Sequence, residues 1–370
     1  MTRIGLLTHA PISLYFRPSA RDFVVQEIPL YPPSGYGEHL YVHVRKKSLS
    51  TPELVKILCS SLGVKQNQIG YAGLKDKHAL STQYITLPQQ CRAKLESFTH
   101  PLIKILAIEQ HHNKLRIGHL RGNRFFMRLK KLDMANATKL ESVLEILRSQ
   151  GFANYFGHQR FGNNGANYAI AQEMLAGTRT IRNKAKAKFF FSALQSHFFN
   201  EWLAKRIQLS RTFAACGASE TLRLYQSLEL QAQDWAQEHP FVLLKGDVMG
   251  HYPLGKLFHA DNVREESCRF LRHDVAPTGL LAGRKTMLAQ ENAALFEDAT
   301  QDFGQQGSRR FAWVFADEVE FEYVAQEAHG HLHFTLPKGS YASVFLEQLC
   351  NQEQVLGESD AESSSSAQSD

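Results

Sequence analysis

The sequence predicts an α+β protein in which a mixed β-sheet domain is interrupted by an inserted, mainly helical one. Three observations predict it. Strand-like alternation marks much of the first 132 residues, helical spacing dominates residues 152 to 300, and strand-like alternation returns after about residue 308. At 370 residues the chain exceeds one ordinary core, so domains are expected at 1–150 plus 306–350 and at 151–305. The cleft between two such domains is the expected place for a ligand.

The elements follow in order. Residues 14 to 47 read as short strands around a turn through Pro32, Pro33, Gly35 and Gly37, and the alternation of Leu40, Val42 and Val44 places those side chains on one face. Ser50 or Thr51 caps a helix that starts near Pro52, buries Leu54, Ile57, Leu58 and Leu62, and stops at Gly63. Two strands are expected in HNKLRIGHL and NRFFMRLKKL, joined by Arg121 and Gly122. Thr138 and Glu141 form a capping box for a helix that Gly151 closes. Helices are expected over Ser192–Gln208 and Lys285–Thr300, then strands in FAWVFADEVEFEYV and HLHFTLPKGSYASVF. Residues 357–370, GESDAESSSSAQSD, read as a disordered tail.

Composition narrows the class. With 43% hydrophobic and 21% charged residues the chain is that of a soluble folded protein, and no apolar run approaches the roughly 18 residues of a membrane span. The N-terminus shows no secretory signal, so the cytoplasm is expected. Five cysteines stand singly, without a C-x-x-C pair, as reduced thiols would. The net charge is +6, but the last twenty residues hold five acids and no Lys or Arg. Residues 1 to 350 therefore set 42 basic against 31 acidic side chains, +11, which makes a polyanion a plausible partner.

The segment Gly70–Gln83, GYAGLKDKHALSTQ, carries the most chemistry. Asp76 lies between Lys75 and Lys77, a positive local field that favours the ionised carboxylate required of a nucleophile or general base; a solvated turn has the same composition. A phosphate-binding loop fits worse, because the Walker spacing is absent.

AGLKDKHALSTQ resembles the signature of the TruD family of tRNA pseudouridine synthases. RPSARDFVVQE (Arg17 to Glu27), GNRF (Gly122 to Phe125), NYFGHQRFG (Asn154 to Gly162) and SALQSHFFN (Ser192 to Asn200) resemble the same family in the same order. The resemblance implies a pseudouridine-synthase-type sheet domain with an inserted TRUD domain, no cofactor, and isomerisation of a uridine in tRNA, at position thirteen of the D arm. It implies that Asp76 is the catalytic carboxylate. Arg17, where some relatives carry Lys, matches the basic residue beside it, and Lys75 supports the site. Asn123 and Phe125 match the N-x-F element, Phe125 to stack on the flipped uracil and Asn123 to orient groups nearby; as alternate strand residues they share a face.

RNA contacts are expected from Lys77, from Arg160 and Phe161, and from Arg179, Arg182, Lys184, Lys186 and Lys188, five cations in ten residues without an acid. Arg160 and Phe161 equally suit a packed hinge, and the cations a solvated face. His329, His331 and His333 alternate as metal ligands do, but no carboxylate or thiolate completes a recognisable spacing, so no metal is expected. The expected partner is tRNA, with no obligatory protein partner. Competing readings are a non-catalytic RNA-binding or RNA-chaperone protein of the same fold and a metal-dependent nuclease.

Overall fold

The structure, a computed structural model, describes residues 3–162, 165–216, 220, 223, 237–298 and 305–353. The expected tail at 357–370 lies outside them. The chain divides into two units: Ile12–Ser142 with Ala316–Gly339, and Met1–Pro11 with Val143–Phe315 and Ser340–Glu353.

The first unit is built on an eight-stranded mixed sheet. Its strands are β1 (Phe23–Pro29), β2 (His39–Lys47), β3 (Gly70–Tyr71), β4 (Leu80–Pro88), β5 (Ile103–His111), β6 (Leu120–Leu129), β13 (Asp317–Val324) and β14 (His329–Pro337). The order is β13-β14-β6-β1-β4-β2-β5, with β3 paired to β4 and β1 parallel to β4. Helix α1 (Thr51–Leu62) covers one face, burying Leu54, Val55, Leu58 and Leu62 against Leu40, Val42 and Val44 of β2 and Ile85 and Leu87 of β4. Ser50 caps it, with Glu53 closing the box, and Gly63 ends it at φ 71°, a left-handed conformation that glycine adopts without strain. A short helix, α2 (Arg92–Glu96), precedes β5.

Two expectations differ here. HNKLRIGHL is mostly the connection into β6 rather than a strand, and Arg121 and Gly122 lie inside β6. The strand before it is IKILAIEQH, whose burial pattern alternates poorly because β5 is the sheet's edge. Helix α3 (Met134–Gln150) starts a turn before the expected capping box. Asp133, not Thr138, does the capping, its Oδ1 accepting from the Asn136 N–H at 2.7 Å. The Thr138 hydroxyl instead donates back to the Met134 carbonyl at 3.1 Å, as a Ser or Thr inside a helix does.

The second unit holds β7 (Phe152–Ala153), α4 (Asn167–Leu175), α5 (Lys184–Ala215), β8 (Val248–His251), β9 (Leu257–His259), α6 (Val263–Leu271), β10 (Val275–Leu281), α7 (Glu291–Ala294), β11 (Ser308–Phe311), β12 (Trp313–Val314) and α8 (Ala342–Cys350). Helix α5 is its longest element and contains the expected Ser192–Gln208. A four-stranded sheet, β11-β10-β8-β9, accompanies the helices, and β7 pairs with β12. A Cβ at Gly279 of β10 would stand 2.5 Å from the Trp202 ring, so glycine lets strand and helix approach. The helix expected over Lys285–Thr300 reduces to the four residues of α7 among the described ones, since Lys285 sits at φ 60° and Gln290, just before α7, is extended at φ −124° and ψ 172°. Strands β11 and β12 and helix α8 also belong to this unit, whereas domain boundaries at 150 and 306 would have put them with the large sheet. Among the described residues no helix is long and apolar enough to cross a membrane.

Candidate active site

Asp76 sits in the irregular segment between β3 and β4, half-buried, with Oδ1 accepting the His78 N–H at 2.8 Å. A side chain that bonds two residues ahead fixes its own rotamer. The segment is held from below by Lys46, whose inward position continues the alternation of Leu40, Val42 and Val44. Lys46 is fully buried, and its Nζ donates to the carbonyls of Leu49, Lys75 (3.4 Å) and Asp76 (2.9 Å). Burial brings the ammonium down to about 8, although the Asp76 charge favours the protonated form.

The lysines flanking Asp76 point elsewhere. Lys75 Nζ forms a buried ion pair with Glu27 of β1, and Lys77 Nζ pairs with Glu53 Oε1 at 3.1 Å, half-exposed. Lys75 and Lys77 are therefore matched by carboxylates of their own, which offset the positive field expected from them at Asp76. Burial pushes the Glu27 carboxyl up despite the Lys75 ammonium, which acts in the opposite direction. Its second oxygen accepts the Tyr84 N–H at 3.1 Å. Thr51, the first residue of α1, accepts the Lys75 N–H at 2.9 Å and donates to Gln83 Oε1 at 2.9 Å. Helix α1 and strands β1 and β2 thus grip the chain at Lys75, Asp76 and Lys77, and β4 braces Thr51 and Glu27 through Gln83 and Tyr84.

Strand pairing brings in the downstream residues. Asn123 on β6 lies directly opposite Glu27, and Phe125 opposite Val25. Asn123 and Phe125 share the α1 face of the sheet with Glu27, as their alternation predicts. Asn123 Oδ1 is buried and has no hydrogen-bond partner among the described residues. Phe125 is 7% exposed and packs between Phe23 (6.2 Å, 9°) and Phe334 (5.2 Å, 21°). Arg17 is exposed and lines a depression of about 650 Å³ with Arg21, Lys47 and His78, which places it beside the segment that carries Asp76.

The remaining expected RNA contacts lie in the second unit. Arg160 donates to Ser196 Oγ at 3.2 Å and to Ser192 Oγ, both on α5, and stands over the Phe156 ring at 5.8 Å. Phe161 is buried edge-on to Tyr168. Both are thus built into the packing around α5. Arg179 pairs with Glu173 at 3.0 Å, half-exposed. Arg182, Lys184, Lys186 and Lys188 are exposed, and Asn183 between them caps α5. His329 and His331 face Glu327 and Glu322, and His331 and His333 flank the Phe126 ring. Among the described residues no group of three or more His, Cys, Asp or Glu side chains is placed to hold a metal ion.

Lys46, Glu27, Glu53, Thr51, Gln83 and His78 were not read as site residues from the sequence, though Thr51 was a candidate helix cap, Glu27 ends one motif, and His78 and Gln83 lie in another. A signal existed. Lys46 and Glu27 each continue an alternation whose other members are apolar and buried, so each is a charge on a core face.

Comparison with known proteins gives matches over most of the chain. The family described as tRNA pseudouridine synthase D (TruD) matches residues 5–181. A tRNA pseudouridine synthase D of Wolinella succinogenes is 48% identical over 357 residues, covering 95% of this chain and 99% of that protein. One from Helicobacter hepaticus is 49% identical over 369 residues, covering 94% and 96%. A crystal structure of a candidate tRNA pseudouridine synthase D from Methanosarcina mazei superposes with a TM-score of 0.66 over 94% of this chain and 95% of that one; at 18% identity it is similar in fold.

Proposed function

The chain belongs to the tRNA pseudouridine synthase D (TruD) family, and on that premise we propose that Asp76 is the carboxylate with which it isomerises a tRNA uridine, at position thirteen of the D arm, to pseudouridine. The observation that carries the reading is the fixed seating of Asp76. Its segment is tied to a buried ammonium, to a buried ion pair and to the first turn of a helix, while the carboxylate itself stays half-buried. Such a seat preorganises a charged group without sealing it from a substrate.

The reaction breaks the N1–C1′ bond, turns the base and joins C5 to C1′; N1 gains a proton and C5 releases one to solvent. The Asp76 carboxylate acts at the ribose, where a short anion stabilises the positive centre that bond breaking creates. Arg17, from the rim of the neighbouring depression, supplies a cation on that side of the segment. Asn123 meets the base: its unpartnered oxygen is an acceptor suited to the uracil N3–H, a bond that would offset the cost of burying it. The expected stack of the flipped uracil on Phe125 is corrected to an edge contact, because Phe23 and Phe334 lie near-parallel on either side of its ring. Lys77 and the exposed Arg182, Lys184, Lys186 and Lys188 contact the RNA backbone. Arg179 does so on release from Glu173, and Arg160 and Phe161 shape the surface behind them. The cytoplasm, where tRNA is matured, is the compartment this requires.

Incubating the purified protein with unmodified tRNA and mapping pseudouridine along the product tests the position. A single new pseudouridine at position thirteen is expected; modification elsewhere would overturn the assignment of the D arm.

A further inference from the structure

The face of the large sheet turned away from α1 carries an arrangement that the proposed chemistry does not use. Alternation along β2 puts Tyr41, His43, Arg45 and Lys47 on this outer face, and pairing adds Lys104 of β5 opposite Arg45, Tyr84 of β4 opposite His43, and Leu80 opposite Lys47. Two like charges directly opposed on neighbouring strands destabilise a sheet unless something else neutralises them. Arg45 and Lys104 are such a pair. Both are exposed, as is Lys47, and none of the three has a carboxylate within ion-pair distance among the described residues.

The rings continue the pattern. His43 stacks on Tyr84 (4.5 Å, 11°), Tyr84 on Tyr41 (5.0 Å, 26°), and Tyr41 meets His111 at 5.1 Å, beyond which lies Tyr31. The run ends at His43, which has no second ring partner among the described residues. A groove of about 960 Å³ along β5 includes Arg45, Lys47, Arg92 and Lys104 in its walls, and it shares Lys47 and Leu80 with the depression that holds Arg17 and His78. Among the described residues that line it Glu96 is the one acid, and Arg92 pairs with it at 3.5 Å. The opposite edge of the same sheet is acidic, with Asp317, Glu318, Glu320 and Glu322 exposed on β13. On β5 the exposed Glu109 stands opposite Tyr41, at the other end of the strand from Lys104, so the stretch that suits a polyanion is the end of the β2–β5 half that holds Arg45, Lys47 and Lys104.

We propose that the outer face of β2, β4 and β5 binds a single-stranded stretch of the RNA substrate beside the target nucleotide, with Arg45, Lys47 and Lys104 on its phosphates and a base stacked on His43. The proposal rests on the RNA-modifying role argued above. It adds where the strand runs after it leaves the catalytic segment. Cations neutralise phosphates and release counterions whatever the sequence, and an imidazole at the end of a ring stack accepts any base. A peptide strand added to the β5 edge would be neutral to these charges and is the competing occupant.

The test uses the full chain and tRNA transcript, with affinity measured from about 50 to 200 mM salt, the span over which phosphate contacts dominate. The variant R45Q/K47Q/K104Q should flatten the log–log salt slope by about 2, three single-strand phosphate contacts at about 0.7 each. Lys139→Gln, at an exposed position on α3, should leave the slope as it is. His43→Ala should weaken binding about tenfold with the slope retained, the signature of a lost stack rather than a lost charge. Lys47→Gln alone, expected to flatten the slope by about 0.7, covers the case in which the triple variant folds poorly. A triple variant with the wild-type slope and wild-type melting overturns the proposal, as does binding that rises with an added peptide strand instead. Tritium release from uridine-5-tritiated tRNA, run on the same wild-type preparation, separates the two claims: no release contradicts the synthase reading, while normal release with an unchanged slope removes only this surface.

Discussion

Lys46 has three N–H donors and three main-chain carbonyls to receive them, so it is a buried cation with its hydrogen bonds satisfied. Above pH 8 the neutral amine has two donors for three acceptors, and its charge no longer stands near Asp76. Activity of the wild type should therefore fall through an alkaline limb near pH 8, read from initial rates. Stability should move the other way. The folded-state value of about 8 lies below the ordinary 10.5, so between the two the unfolded chain holds a proton that the folded chain lacks, and this group adds stability as pH rises. Urea midpoints that fall in parallel with activity from pH 8 to 10 would contradict this assignment. Asn123 gives a second residue-scale prediction. Because its oxygen has no partner, Asn123→Ala should change stability by no more than about 1 kcal/mol while lowering kcat/KM at least tenfold. These residues were unevenly legible. Asp76 stands out in the sequence through its motif, but the Lys75 partner is Glu27, 48 positions away, and no local pattern joins them.

At the scale of elements, α1 is the piece that sequence specifies best, because caps are local chemistry: Ser50, Pro52, Glu53 and Gly63 all act within a turn of its ends. Its first turn also reaches the site through Thr51 and Glu53, which links a helix terminus to the seating of Asp76. The buried pair between β1 and that segment makes a testable element. Lys75→Met should destabilise the fold by about 3–5 kcal/mol, since it leaves the Glu27 carboxylate buried and uncompensated. Adding Glu27→Gln should recover part of that loss in denaturant unfolding. Equal destabilisation by the single and double variants would show that the pair does not hold the segment. Strand β5 and the small sheet of the second unit were not legible. An edge strand has a weakly buried face and so a weak period, and β8 and β10 are buried on both faces, leaving no alternation to read.

For the molecule as a whole, the strand–helix–strand succession in the sequence matches the α+β architecture, while the boundaries shift because β11, β12 and α8 pair or pack within the second unit. Such allegiance is set by long-range contact, which alternation along the chain does not encode. The basic balance of the folded residues has its own consequence. Replacing Lys184, Lys186 and Lys188 with Gln should weaken tRNA binding and flatten its salt slope by about 2, and an unchanged slope would make them a solvated face. All of this turns on one carboxylate, and its test is tritium release from uridine-5-tritiated tRNA by wild type and Asp76→Asn, an isostere that keeps the His78 contact possible. Release by the wild type and a loss of at least about a thousandfold in the variant, with tRNA affinity retained, is the expected result. Undiminished release by Asp76→Asn would contradict the assignment of Asp76 as the catalytic carboxylate.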